Sequence, residues 1–165
     1  MEKEYIGLMG VVIGGIVAYG ISFLQMRNDE RKDKRKMCLQ KLEESHKTIT
    51  MIREIYLHNF TSHIMIINHG IEAASEESKK ALPIDNLKML INFYIPRLRH
   101  NFEEFEKYRK EYGQILMLCM DAERLDSSAK SELKKRVSDG DGIIGQYCTD
   151  MQKQISKEAN EYLKT

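Results

Sequence analysis

The chain begins with a long apolar segment that ends at an abrupt border with charged residues. Residues 5–25 contain no Asp, Glu, Lys, Arg or His, whereas charged residues dominate from Arg27 to Lys36. Because about 20 helical residues cover the roughly 30 Å hydrocarbon core of a bilayer, the pattern predicts a transmembrane helix at 5–25. A cleaved signal peptide is the alternative, but the acidic leader MEKE and the length of the apolar run favour a retained anchor.

The charged stretch predicts the orientation of that anchor. Basic residues next to a membrane span stay on the cytoplasmic side, so residues 1–4 are expected outside and the rest of the chain inside a plasma or bacterial inner membrane. Residues 26–36 form a charged stalk, whose basic side chains either contact anionic lipid headgroups or are solvated. The membrane-surface residues predicted here are Arg27, Arg31, Lys32, Lys34, Arg35 and Lys36.

Small residues recur at every fourth position of the predicted span. They are Gly10, Gly14, Ala18 and Ser22. This spacing places them on one helix face, where small side chains let a second helix approach closely. The pattern therefore predicts a helix-pairing face, although glycine is frequent throughout this segment.

The remainder of the chain shows apolar residues at intervals of three and four, the period of an amphipathic α-helix. Three such stretches, at about 37–80, 84–122 and 127–163, are separated by short turn-like segments. Short connections make neighbouring helices antiparallel. The sequence thus predicts an all-α protein in which the transmembrane helix precedes an elongated, coiled-coil-like three-helix bundle at 37–165 in the cytosol.

Three positions inside these helices are predicted hinges. Pro96 interrupts the second stretch, and because the apolar phase continues through it, a kink is favoured over a new helix. Gly140 and Gly142 weaken the third stretch, where a short break and a continuous helix are both compatible with the pattern. Ser127 or Ser128 is expected to cap this third helix.

Composition narrows the possible functions. The chain has 26 basic and 25 acidic residues, of which seven and five precede residue 37, so the predicted bundle carries a net charge of about −1. A nucleic-acid-binding domain would show a basic surplus, so nucleic acid is not predicted as a partner. Three cysteines without a CxxC spacing predict buried thiols rather than a disulfide framework or a zinc site.

No motif predicts catalysis, a cofactor or a small-molecule substrate. Only Glu43 and His46 match the Glu-x-x-His spacing of a helical metal site, which needs a second such pair on another helix. The segment SDGDGII resembles part of a calcium loop, but Val137 and Cys148 would occupy its first and last ligand positions. The chain is therefore predicted not to be an enzyme, and no metal site is predicted.

The functional hypothesis is a single-pass membrane protein whose bundle binds itself or another protein as a tether, scaffold or assembly subunit. Three of the ten methionines, Met65, Met117 and Met120, are candidates for a partner surface, because methionine adapts to varied contacts. The alternative is a membrane-perturbing effector or small pore-forming subunit that its cytosolic bundle gates.

Overall fold

The computed structural model describes the backbone of residues 2–70 and 81–164, and the side chains of residues 18–70 and 81–164. It divides into two compact units, Met1–Gln40 and Lys41–Thr165. The border between them falls within the first helix, α1 (Glu2–His69). The all-α part of the prediction is confirmed for the described residues, which form α-helices, short 3₁₀ helices and their connections.

The predicted transmembrane helix is corrected by the structure. In the part of the chain that the structure describes, no helix is both long and apolar enough to cross a membrane. Residues 5–17 lie outside the described side chains, and the described apolar stretch of α1 covers only residues 18–26. A span needs about 20 apolar residues, so this stretch is too short. The predictions of an anchor, an outward N-terminus and a membrane localisation are therefore not supported.

The second unit contains the C-terminal part of α1 and three further α-helices among its described residues. These helices are α2 (Ile84–Tyr94), α3 (Arg99–Leu118) and α4 (Ser127–Lys164). Two 3₁₀ helices, Pro96–Leu98 and Cys119–Arg124, lie before and after α3. The unit is thus a four-helix arrangement, where the sequence predicted three helices.

The direction of α2 accounts for the extra helix. Lys88 Nζ lies 3.7 Å from Glu106 Oε2, a distance that a single helix through both residues would make impossible. At the other end of α2, Lys41 Nζ lies 5.9 Å from the centroid of the Tyr94 ring. The helix α2 therefore runs back along both α1 and α3, and successive helices alternate in direction.

Pro96 separates α2 from α3. Its ring disfavours helical geometry at the preceding residue, and Ile95 has φ −136° and ψ 59°. The Ile95 side chain is buried, which anchors the turn in the core. The predicted kink is therefore a complete reversal. The spacing of apolar residues could not distinguish a kinked helix from a chain reversal. Two separate helices that each bury one face show the same period as one long helix.

Gly70 ends α1. Its φ of 90° lies in the left-handed region that favours glycine, and its N–H donates to the carbonyl of Ile66 at 2.8 Å. This geometry satisfies a carbonyl of the last helical turn. The first predicted bundle helix, 37–80, is thus too long within the described residues, and its last ten residues, 71–80, lie outside them.

The helix α4 is continuous through Gly140 and Gly142. It begins after Asp126, whose carboxylate accepts a hydrogen bond from the Ala129 N–H at 2.7 Å. Asp126, rather than Ser127 or Ser128, is therefore the capping residue. Helix α4 packs against α1 and α3 along its length, so tertiary contacts offset the low helix propensity of its glycines.

Candidate functional site

A polar layer crosses the middle of the bundle. Arg53 on α1 donates two hydrogen bonds to the carboxylate of Asp141 on α4, at 2.9 and 3.2 Å. Asp141 is only 7% exposed, and Arg53 is partly buried. A carboxylate removed from water is stable only with such a partner. This pair therefore ties α1 to α4 at one position.

Glycines on α4 make room for this layer. A Cβ atom at Gly145 would lie 3.1–3.2 Å from the guanidinium of Arg53, and one at Gly140 would overlap the ring of Tyr112. The Tyr112 hydroxyl donates to the carbonyl of Val137 at 3.0 Å. Helix α4 thus receives one side chain from α1 and one from α3 within two turns.

The buried hydroxyl and thiol groups of the bundle are held in their neutral forms. Burial raises the pKa of Tyr56 to about 12, and burial likewise raises the pKa of Tyr112. Burial also raises the pKa of the Cys119 thiol to about 11 and that of the Cys148 thiol to about 11. Protonated thiols are poor nucleophiles. This chemistry fits packing, as the sequence predicted for these cysteines.

The residues weighed for metal binding lie on two helices, Glu43 and His46 on α1 and the calcium-like segment on α4. Within the described residues, no group of three or more His, Cys, Asp or Glu side chains is placed to hold a metal ion. Glu43 Oε1 lies 2.7 Å from Lys47 Nζ, and the hydrogen bond with this lysine lowers the pKa of Glu43. Asp141, part of the calcium-like segment, is bound to Arg53 instead.

An open groove of about 310 Å³ lies where α3 approaches α4, and is called the α3–α4 groove below. Four of its lining residues are apolar and three are charged. Two methionines adjacent to it in sequence, Met117 and Met120, are 74% and 49% exposed. The lining residues of the groove are Leu118, Asp121, Leu125, Ala129, Glu132, Leu133 and Arg136. Apolar surface bordered by charge is typical of a protein contact.

A second exposed apolar surface lies on α1, in the first unit. Five large apolar side chains within eight residues are each about half exposed or more, up to 75% for Tyr19. They are called the apolar α1 segment and consist of Tyr19, Ile21, Phe23, Leu24 and Met26. Isolated apolar side chains on a surface are normal, but five large ones exposed within about two helical turns indicate a contact.

The predicted site residues fall partly within the described structure. The side chains of Gly10 and Gly14 lie outside it, whereas Ala18 and Ser22 lie on the exposed apolar part of α1. The six basic residues from Arg27 to Lys36 lie on α1, and all but the partly buried Arg35 are exposed. Their membrane-surface role depended on the predicted span and is not retained.

The candidate hinges occupy different environments. Pro96 begins a 3₁₀ helix at a chain reversal, Gly140 is buried against Tyr112, and no atom lies within 4 Å of a Cβ atom built at Gly142. Motion at these positions stays a prediction. Of the three candidate methionines, Met65 is also exposed, together with Met117 and Met120.

Sequence reasoning missed the Arg53–Asp141 pair. Asp141 lies four residues after Val137 and three before Ile144, two apolar positions of the third predicted helix, and a charge beside them was the available signal. The partner could not be identified, because residues 88 apart in sequence meet only in the folded chain.

In comparisons with known proteins, the chain matches no family model, no curated protein and no solved structure.

Proposed function

We propose that the protein is an assembly subunit whose copies associate through the apolar α1 segment. The observation that carries the proposal is the exposure of its five large side chains. Fully burying one such side chain contributes about 1.5–3 kcal/mol, so the exposed parts of five represent on the order of 5 kcal/mol per copy. A second copy supplies the same apolar surface and would bury it.

The bundle needs no partner to complete its own core. Its core is filled by its own side chains, including Ile49, Leu87, Phe105 and Ile144, which are all fully buried. The Arg53–Asp141 pair is satisfied within the bundle, and the buried tyrosines and thiols are neutral. These features suit a rigid module that presents surfaces for binding better than one that carries out chemistry.

The test is the mass of the full chain by sedimentation equilibrium over a wide concentration range. The wild-type chain should exceed its monomer mass of 19.3 kDa, and Phe23→Glu combined with Leu24→Glu should lower the average mass of the assembly. The matched control is Phe93→Glu, because Phe93 on α2 is 77% exposed but lies outside the segment. This control should keep the wild-type mass.

Two outcomes would refute the proposal. One is a wild-type chain that stays monomeric at every concentration. The other is an assembly that survives the Phe23 and Leu24 substitutions unchanged, since the contact would then lie elsewhere. Far-ultraviolet circular dichroism of each variant verifies that its helices remain folded.

A further inference from the structure

We propose that the α3–α4 groove is a second contact between copies, in which the groove of one copy packs on the same groove of another around a two-fold axis. Glu132 of each copy then faces Arg136 of the other. The inference takes from the proposed function only the identity of the partner, a second copy. The surface itself is separate, because it lies in the unit Lys41–Thr165 and the apolar α1 segment does not.

The apolar part of this surface supplies the attraction. Leu118 is about half exposed at the side of the groove, and the adjacent Met117 and Met120 are exposed as well. Leu125 and Ala129 also line the groove and are partly buried. Methionine side chains adapt to the surface that they meet, so two such grooves can pack together without changes in the backbone.

The charges identify the partner. Glu132 and Arg136 lie one helical turn apart on α4, and both are exposed. Residues at this spacing are within reach of each other, yet neither takes part in an ion pair or hydrogen bond among the described residues. The groove therefore presents one free acidic and one free basic group beside its apolar lining residues.

A two-fold axis pairs these charges reciprocally. In a symmetric dimer, if residue i contacts residue j of the partner, residue j also contacts residue i. Two antiparallel copies of α4 thus place each Glu132 opposite an Arg136, whereas parallel copies would place like charges together. This self-complementarity fits a second copy better than an unrelated partner. Ion pairs at the edge of an interface add little affinity but determine its register.

Charge reversal tests the arrangement in the full chain that carries Phe23→Glu and Leu24→Glu, which removes the other contact. This parent should still dimerise in sedimentation experiments. Glu132→Arg alone, or Arg136→Glu alone, converts both attractive pairs into repulsive ones and should weaken dimerisation about tenfold or more. The control Lys135→Glu makes the same charge change on an exposed neighbouring residue and should have little effect.

Mixing the two single variants gives the decisive result. One variant then has two basic groups at these positions and the other has two acidic groups, so their equimolar mixture should form heterodimers. The double variant Glu132→Arg with Arg136→Glu should dimerise as the parent does. A partner other than a second copy predicts neither form of rescue.

The outcomes separate the inference from the proposed function. If the wild-type chain assembles but the parent is monomeric at every concentration, the groove contact is refuted and the proposed function stands. If the parent dimerises but the single variants match it, or their mixture remains monomeric, the reciprocal pairing is refuted. If the parent assembles as the wild-type chain does and the mixture restores dimers, the groove contact holds and the proposed role of the apolar α1 segment falls.

Discussion

Two glycines, two residues apart on α4, should respond to the same substitution with opposite signs. At Gly140, an added Cβ atom would overlap the Tyr112 ring, whereas at Gly142 it would meet no atom within 4 Å. Both residues lie inside the continuous helix Ser127–Lys164. Alanine at either position therefore gains the same helix propensity, and only the surroundings differ.

The expected free energies follow from these surroundings. Replacing glycine by alanine inside a helix stabilises it by about 1 kcal/mol, which is the full effect expected at Gly142. At Gly140, overpacking costs about 1–3 kcal/mol, and displacing Tyr112 also breaks its hydrogen bond to the Val137 carbonyl, at about 1 kcal/mol. The net effect of Gly140→Ala is a destabilisation of about 1–3 kcal/mol.

Tyr112 cannot easily move to relieve the overlap. It is fully buried, its ring stacks on that of Tyr108 at 6.5 Å between centroids, and the ring of Tyr56 lies 6.2 Å away. A ring held from several sides transmits the strain to α1 and α3. The destabilisation should therefore appear in global unfolding and not only as local fraying of α4.

Urea unfolding followed by circular dichroism at 222 nm measures both effects. The midpoint should rise for Gly142→Ala and fall for Gly140→Ala. In the background of Tyr112→Leu, which removes the ring, Gly140→Ala should no longer destabilise the bundle. Equal midpoint shifts at the two glycines, or an undiminished penalty after removal of the ring, would refute the close approach of α3 and α4 at Gly140.

Two further predictions concern the other buried groups. Asp141→Ala leaves the partly buried Arg53 without its partner and should destabilise the chain by about 2–4 kcal/mol, whereas adding Arg53→Met should recover part of this loss in urea unfolding; no recovery would contradict a coupled pair. The pKa of Cys148 in the folded chain, about 11, lies above its ordinary value of 9.0. The contribution of this buried thiol to the free energy of unfolding is therefore fully present below pH 9, and it is lost as the pH rises through about 11. Cys148→Ala should flatten this alkaline decline by roughly 2–3 kcal/mol, and an unchanged pH profile would contradict the burial of the thiol.

Sequence periodicity predicted the helices of the bundle better than their connections. The apolar period of three and four residues reports which face of a helix is buried, so it located α4 to within a residue at either end. It carries no information on chain reversal, and the break at Ile95 was therefore missed. The end of α1 depended on a single residue, Gly70, whose positive φ the period does not record.

The candidate surfaces were less predictable, because exposure depends on what the remaining chain covers. Met117 and Met120 were candidates from composition alone, and both are exposed. Leu118 follows Met117 directly and had no distinguishing signal. Its exposure arises because α3 ends there and a 3₁₀ helix turns the chain toward α4.

The polar layer links the interior of the bundle to the α3–α4 groove. Gly140 fixes the axial position of α4 relative to Tyr112 on α3, and Asp141 fixes it relative to Arg53 on α1. A shift of α4 by one turn along its axis would separate Asp141 from the guanidinium of Arg53. It would place a branched side chain, Val137 or Ile144, opposite Arg53 instead. Because a buried charge without its partner is costly, only one register satisfies both neighbouring helices. That register also determines where Glu132 and Arg136 emerge beside the α3–α4 groove, so the buried layer specifies the geometry of the proposed contact.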